Sequence, residues 1–125
     1  VVIRPSVKIT YPWKLTLGDY AWVGDDAVLY TLGEITIGAN SVVSQKCYLC
    51  TGSHDFMSPH FDITASPVVI GEKCWLATDV FVAPGVSVGD GTVVGARSSV
   101  FKSLPANKIC RGNPAVVIRE RVETD

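Results

Sequence analysis

The 125-residue sequence has little of several features that would assign it to a class at once. Four cysteines are too few in a chain of this length for a disulfide-stapled secreted scaffold, so a reducing cytoplasm is the expected compartment. No apolar run approaches the roughly 18 residues of a membrane span. Eleven basic and twelve acidic residues leave a formal charge of −1, and this lack of basic excess argues against nucleic-acid binding.

Leucine is also scarce. The chain has 19 Val and 8 Ile against 7 Leu, and β-branched residues favour strands over helices. The length matches about one domain. The first residue is Val1 rather than Met, so we expect a processed or trimmed form of a longer chain. The composition therefore predicts a single all-β domain.

An aliphatic residue recurs every six positions along most of the chain. From residue 70 to residue 100 the spacing is unbroken, and a small residue follows in five of six repeats. The same phase continues backwards through groups separated by two-residue insertions, with one longer interruption between Leu49 and Ile70. The fourteen aliphatic positions are Ile3, Ile9, Leu17, Val23, Leu29, Ile37, Val43, Leu49, Ile70, Leu76, Val82, Val88, Val94 and Val100.

A period of six predicts a solenoid of short parallel strands, in which one aliphatic side chain per repeat points inward and its small neighbour lets the backbone turn. Three repeats close a triangular coil of about 18 residues, which gives four to five coils. The alternative, a β-sandwich with coincidental spacing, would instead alternate at two residues and turn every 8–12 residues or so.

The repeat ends at Leu104. We expect residues 1–104 to form the solenoid, with an inserted loop at 51–69, and residues 105–125 to form a tail within the same domain that covers one end. Asn113 followed by Pro114 is a typical helix start, so the tail is predicted to contain a short helix over 115–122.

These repeats resemble those of the hexapeptide-repeat acyltransferases over essentially the whole chain. The stretch from Pro67 to Glu120 is similar to the end of maltose, galactoside and Nod-factor acetyltransferases, and YPWKLTLGD with SQKCYLCTGSHD is similar to acetyltransferases of colanic-acid-type exopolysaccharide synthesis. The resemblance implies a left-handed parallel β-helix and a homotrimer with active sites between subunits. It also implies acetyl transfer from acetyl-CoA to a hydroxyl of a sugar or nucleotide sugar.

The interruption after Leu49 contains both histidines of the chain. Insertions longer than about 12 residues are usually functional or disordered, and an imidazole can act as a base near neutral pH. The resemblance of TGSHD to the family's histidine motif assigns that role to His54. Asp55 could orient His54, or it could be an ordinary solvated carboxylate. His60 is expected to be a loop residue rather than a second base.

The donor side is predicted from the resemblance alone. Trp75, Ala77 and Thr78 lie in a stretch that matches the family's Trp-Ile-Gly-Ser motif, where the position of Thr78 lies beside the thioester. Trp75 could equally pack against a neighbouring subunit. Ala96 matches a position whose main chain contacts the pantetheine arm.

The resemblance also implies contacts with the phosphates of CoA. Lys102 and Arg119 match basic positions of the family that meet these phosphates. Arg97 and Arg111 are alternatives for the same contact. We expect Lys102 and Arg119 to converge where the tail folds over the coil ends.

Cys47 and Cys50 have the spacing of a zinc half-site or a redox pair. Both lie at small positions of the repeat, so we predict packed thiols and expect no metal. The leading hypothesis is an acetyl-CoA-dependent O-acetyltransferase. The alternatives are a non-catalytic structural solenoid and a zinc enzyme like the γ-type carbonic anhydrases, which needs three histidines where this chain has two.

Overall fold

The computed structural model describes residues 1–122, which form eighteen short β-strands and one 3₁₀ turn. Sixteen strands belong to three sheets, here called A, B and C, and each coil of the chain visits them in that order. Successive coils pair in parallel, which gives a β-solenoid of about five turns and confirms the predicted fold class. An antiparallel pair of strands projects from the third coil.

The strands have the following bounds. Sheet A contains β1 (Val2–Ile3), β4 (Trp22–Val23), β7 (Val42–Val43), β12 (Trp75–Leu76), β15 (Val93–Val94), β17 (Lys108–Gly112) and β18 (Ala115–Glu120). Sheet B contains β2 (Lys8–Ile9), β5 (Val28–Tyr30), β8 (Tyr48–Cys50), β13 (Phe81–Val82) and β16 (Ser99–Val100). Sheet C contains β3 (Leu15–Leu17), β6 (Ile35–Ile37), β11 (Val68–Ile70) and β14 (Ser87–Val88), and the projecting hairpin contains β9 (Gly52–His54) and β10 (Ile63–Ala65).

The aliphatic positions of the repeat fill the interior in three columns. In sheet A, for example, Val43 pairs in register with Val23 below it and Leu76 above it. Eleven of the fourteen positions are buried. The other three, Ile3, Ile9 and Leu17, lie in the first coil, which has a neighbouring coil on one side only in this chain. The period of six therefore identified the three aliphatic columns of the core, whereas other buried side chains, such as Ile35, Val68 and Val80, lie outside the fourteen positions.

Where the residue after the aliphatic one is a glycine, as at Gly38, the stacking of coils requires it rather than the turn. A Cβ atom on Gly38 would lie 2.5 Å from the carbonyl carbon of Gly71 in the next coil. The bend comes two residues later, at Asn40, whose φ of +58° is in the left-handed region that Asn tolerates. Further residues with positive φ lie at equivalent corners: Tyr20, Asp26, Lys46, Lys73, Asp79 and Arg97.

The predicted helix over 115–122 is wrong. Residues 115–120 form strand β18, which pairs antiparallel with β17 and extends sheet A. The run of β-branched residues from Val116 to Ile118 favours a strand, and β17 offers an unpaired edge for it. Gly112, with φ of +113°, permits the reversal between the two strands.

Helical structure is confined to a single 3₁₀ turn at Pro12–Lys14 within residues 1–122. Over the same residues, we find no helix whose length and apolar character would let it cross a membrane.

Candidate active site

The predicted loop at 51–69 is an ordered hairpin that leaves the solenoid between β8 of sheet B and β11 of sheet C. Strands β9 and β10 pair antiparallel, with His54 opposite Ile63. The N–H of Asp55 donates to the carbonyl of Asp62 at 2.8 Å and continues the pairing toward the tip. The backbone at His54 is therefore held from both sides, while its side chain remains exposed.

The imidazole of His54 is oriented by a backbone group. Its Nδ1 lies 2.8 Å from the carbonyl oxygen of Phe61, across the hairpin. A carbonyl oxygen only accepts hydrogen bonds, so Nδ1 must carry the proton. In the neutral ring Nε2 then has a free lone pair, which is the arrangement that a general base requires.

Asp55 is next to His54 in sequence, but its side chain makes a contact with Met57 and not with His54. Its Oδ1 accepts a hydrogen bond from the N–H of Met57 at 2.9 Å, which stabilises the turn at the hairpin tip. Among the described residues, no hydrogen bond or ion pair joins Asp55 to His54. His60 is exposed near the same tip.

A cavity of about 280 Å³ opens beside His54, near the lower end of the size range of small-molecule sites. It lies between the hairpin and the outer surface of sheet B, and its walls are mostly apolar and aromatic. The lining residues are Tyr30, Leu32, Tyr48, Cys50, Gly52, Ser53, His54 and Ile63.

The predicted donor residues gather at the corner between sheets A and B, here called the A/B corner. Thr78 and Ala96 occupy equivalent places in successive coils, because the N–H of Ala77 donates to Val94 and the N–H of Arg97 donates to Thr78, at 3.0 and 2.8 Å. Small side chains at these places leave the main chain accessible along the corner. Trp75 precedes them on sheet A, half-exposed.

The ring of Trp75 is held in place by one hydrogen bond. Its indole Nε1 donates to the hydroxyl of Ser44 in the coil below, at 3.0 Å. The rest of the ring is exposed on the outer surface of sheet A, next to the A/B corner. An oriented, exposed indole offers a flat apolar surface to a ligand or a partner.

Lys102 and Arg119 are not brought together within one chain. Lys102 follows β16, at the corner between sheets B and C, here called the B/C corner. Arg119 lies on β18, which extends sheet A. In a three-sided coil the B/C corner is opposite sheet A, so the expected convergence of these residues does not occur in the single chain.

Apart from Trp75 and Arg119, which lie on sheet A, the candidate residues occupy the two edges of sheet B. His54 and Lys102 lie at the B/C edge, and Thr78 and Ala96 lie at the A/B edge. One strand of sheet B separates the edges, a distance on the order of 10–15 Å at about 3.3 Å per residue.

The prediction of a packed thiol is confirmed for Cys47, whereas Cys50 is only partly buried and lines the cavity. Cys47 is buried and its Sγ donates to the carbonyl of Ala77 at 3.1 Å, whereas the Sγ of Cys50 donates to Gly52. Burial raises the pKa of the Cys47 thiol to about 11, and burial also raises the pKa of Cys74 and Cys110. Residues 1–122 contain no group of three or more His, Cys, Asp or Glu side chains placed to hold a metal ion.

Sequence reasoning missed three contributors to the site. The carbonyl of Phe61 has no signature in the sequence because any residue could supply it. Tyr30 and Tyr48 could have been found, since each flanks an inward aliphatic residue of sheet B and must therefore point outward.

A coil of three parallel sheets with a histidine-bearing hairpin at one corner defines an acyltransferase class built on hexapeptide repeats, and comparisons with known proteins agree. The family profile described as bacterial transferase hexapeptide (six repeats) matches residues 67–102. The sequence is 86% identical over 125 residues to an Escherichia coli (strain K12) protein with the provisional name colanic acid biosynthesis acetyltransferase WcaF. This match covers 100% of the chain and 69% of that relative. The chain belongs to the hexapeptide-repeat acetyltransferase family.

Two solved structures extend the comparison. A galactoside acetyltransferase in complex with coenzyme A is 27% identical with a TM-score of 0.91, covering 96% of this chain and 62% of that one. The acetyltransferase VCA0836 of Vibrio cholerae O1 biovar eltor, in complex with acetyl coenzyme A, is 24% identical, also with a TM-score of 0.91. It covers 98% of this chain and 68% of that one, and it shows the shared fold. The fold is the left-handed β-helix of these acetyltransferases.

Proposed function

We propose that the protein transfers an acetyl group from acetyl-CoA to a hydroxyl of a saccharide or of an exopolysaccharide precursor. The observation that carries this proposal is the tautomer of His54, whose Nδ1 is tied to Phe61 so that Nε2 is free beside a cavity. The relative named for colanic acid biosynthesis and the galactoside acetyltransferase with coenzyme A support a sugar acceptor and a CoA donor.

His54 is the general base in this proposal. An acceptor hydroxyl in the adjacent cavity donates its proton to Nε2 as its oxygen attacks the carbonyl carbon of the thioester. The C–S bond then breaks, and the imidazolium returns the proton to the departing CoA thiolate. The hydrogen bond to the carbonyl of Phe61 stabilises the imidazolium that results, since a protonated Nδ1 remains a donor. Asp55 supports the hairpin turn and thereby the position of His54.

The donor lies along the A/B corner, where it supplies an activated acetyl thioester. The small side chains of Ala77 and Ala96 leave room for a thin pantetheine arm against the main chain. Thr78 offers a hydroxyl and a backbone N–H to the thioester oxygen, and Trp75 offers an aromatic surface. Lys102 and Arg119 contact the phosphates in this proposal, and because they lie on opposite sides of one chain, we propose that they come from different subunits around one donor.

We propose a homotrimer, as the resemblance implies, and the same geometry supports it. The base and the donor residues lie at opposite edges of sheet B, so a complete site forms where the B/C edge of one copy meets the A/B edge of the next. The four free cysteines support a reducing compartment, and we place the enzyme in the cytoplasm.

The test is release of free CoA from acetyl-CoA in the presence of a panel of sugars, nucleotide sugars and oligosaccharides. The wild-type chain should show acceptor-dependent release. His54→Ala should lower the rate by about 10²–10⁴ without changing the fold, since the side chain is exposed and contributes one base. His60→Ala, the matched control on the same hairpin, should stay within about threefold of wild type.

If the activity of His54→Ala stayed within about threefold of wild type, His54 would not be the general base. Failure of the wild-type chain to bind acetyl-CoA in a calorimetric titration would favour a non-catalytic solenoid instead.

A further inference from the structure

Two aromatic side chains lie together at the B/C corner of the first coil, below the cavity beside His54. Trp13 is 76% exposed and Tyr11 is 37% exposed, and the centroids of their rings are 5.1 Å apart. Both belong to the segment of the 3₁₀ turn, in which no residue is buried. The pair, here called the aromatic platform, therefore fills no part of the core and presents an apolar surface outward.

The platform is held in place by the coil above it. The N–H of Tyr11 donates to the hydroxyl of Thr31 at 2.6 Å, and that hydroxyl donates to the carbonyl of Tyr11 at 3.1 Å. The ammonium of Lys14 donates to the carbonyl of Leu32 at 2.7 Å and lies 5.7 Å from the centroid of the Tyr11 ring. Because these contacts order the segment before any ligand arrives, binding on the platform costs little conformational entropy.

Leu32 connects the platform to the cavity. Its carbonyl holds Lys14, and it also lines the cavity. A Cβ atom on Gly52 would lie 2.6 Å from Cδ1 of Leu32, so this side chain packs against the strand that carries His54. Neighbouring coils are about 4.8 Å apart. A ligand that leaves the cavity downward along the B/C corner therefore reaches Trp13 after about one coil.

The chemistry of the platform fits a sugar ring. A pyranose carries C–H groups on its faces and hydroxyls around its edge, so one face can pack on an aromatic ring while the hydroxyls stay hydrated. Trp and Tyr combine a large apolar face with a polar group at the ring edge. The cavity, at about 280 Å³, is near the lower end of the range of small-molecule sites, so a longer acceptor must continue outside it.

The charges at this corner argue against a nucleotide on the platform. A diphosphate is bound by several Lys or Arg side chains. The charged residues in segments 11–14 and 31–34 are Lys14, whose ammonium is already bonded to Leu32, and Glu34, which is exposed. A neutral sugar ring suits this balance of charge, and a diphosphate does not.

We propose that Trp13 and Tyr11 form a second sugar subsite. It binds the residue linked to the sugar whose hydroxyl enters the cavity, so the preferred acceptor is an oligosaccharide rather than a monosaccharide or a nucleotide sugar. The proposal rests on the proposed function, because that function places a sugar beside His54.

The first test compares matched acceptors. Methyl pyranosides of common hexoses are paired with disaccharides that contain the same hexose at either end, and CoA release is measured for each. For the accepted hexose, the wild-type kcat/KM should be at least about tenfold higher for the disaccharide. Trp13→Ala should abolish this difference by raising the KM of the disaccharide at unchanged kcat, as loss of uniform binding does. Trp13→Phe keeps an aromatic face and should retain most of the difference.

Tyr20→Ala is the matched control. Tyr20 is 78% exposed in the same coil but lies at the corner between sheets C and A. This variant should leave kcat/KM for both acceptors within about threefold of wild type. Light scattering should show the wild-type oligomeric state for Trp13→Ala. A variant that dissociates would make Trp13 a subunit contact and overturn the subsite.

The second test observes Trp13 directly and needs no catalysis. Trp22→Phe combined with Trp75→Phe leaves Trp13 as the single indole of the three in the chain. Its fluorescence should change when the disaccharides are added and should not change with the methyl pyranosides at the same concentration. Uridine diphosphate, the probe for a nucleotide subsite, should also leave the emission unchanged.

Three results overturn the subsite and leave the proposed function standing. They are equal wild-type kcat/KM for the two kinds of acceptor, a Trp13→Ala variant that keeps the preference for disaccharides, and a Trp13 emission that responds to uridine diphosphate but to no disaccharide. A wild-type chain that transfers no acetyl group, while Trp13 responds to disaccharides, supports the subsite and removes the proposed function. Absence of both transfer and response overturns both.

Discussion

The coils and the hairpin of this protein differ in how far their apolar side chains are buried. In the coils, an inward side chain such as Leu49 is fully buried and pairs in register with its equivalents in the coils on either side. In the hairpin at residues 52–65, no residue is buried, and Phe56, Met57 and Ile63 are among the most exposed large apolar side chains. The coils therefore carry the stability of the fold, while the hairpin carries the candidate base and can change without unfolding the scaffold.

The largest expected difference between the two regions is in the cost of removing an apolar side chain. Leu49→Ala should lower the free energy of unfolding by about 2–5 kcal/mol, because it leaves a cavity between stacked coils. Ile63→Ala, on the hairpin and 70% exposed, should change it by less than about 0.5 kcal/mol. Urea unfolding followed by circular dichroism measures both. Equal decreases in the free energy of unfolding would contradict the conclusion that the coils, and not the hairpin, carry the stability of the fold.

A smaller difference in the free energy of unfolding is expected when a glycine in the coils and a glycine near the hairpin are each replaced by alanine. Gly38→Ala forces a Cβ to within 2.5 Å of the backbone of the next coil and should cost about 1–3 kcal/mol. Gly33→Ala is the matched control near the base of the hairpin, where the new Cβ would have its nearest neighbour at 3.4 Å. That change should be neutral, or stabilising by up to about 1 kcal/mol. If Gly38→Ala unfolded at the same denaturant concentration as wild type, close approach of coils would not explain the small positions.

The smallest expected effect concerns Asp55. Asp55→Ala removes the acceptor for the N–H of Met57 and should lower kcat/KM by less than about tenfold, because the turn that positions His54 loosens. Asp55→Asn keeps an acceptor oxygen and should restore most of the activity. If Asn and Ala are equally impaired, the charge of Asp55 acts on His54 directly and the contact with Met57 is incidental. Steady-state kinetics with acetyl-CoA and an accepted sugar decide between these outcomes.

The spacing of residues predicted the coils almost completely. A period of six named the aliphatic columns from Val23 to Val100, because each coil uses the same local backbone path and stacks on a similar neighbour, but other buried residues such as Ile35 and Val68 fall outside those positions. The predicted helix over 115–122 was wrong because it rested on local signals alone, Asn113 and Pro114. The segment forms a strand because it pairs with the edge of β17, and this pairing is a tertiary contact that local signals do not contain.

The candidate site was predictable in part. The interruption of the repeat contained both histidines, and the resemblance selected His54 and assigned the donor residues to particular positions. The partner of the imidazole was not predictable, since the carbonyl of Phe61 reaches His54 only after the hairpin has formed. The contact of Asp55 with Met57 was equally hidden, because adjacent side chains diverge and only the folded turn shows where each points.

The sequence by itself determined the solenoid, its aliphatic columns and the segment that leaves it, since all of these depend on short-range periodicity. Only the tertiary structure decided the tautomer of His54, the strand at the C-terminal edge and the distribution of the candidate residues over two edges of sheet B. The aromatic contacts on the outer surface of sheet B belong to this second group. The partners in each contact are between 18 and 33 positions apart in sequence, and parallel stacking of coils at a fixed register is what joins Tyr30 to Tyr48, Tyr48 to Phe81 and Phe81 to Phe101.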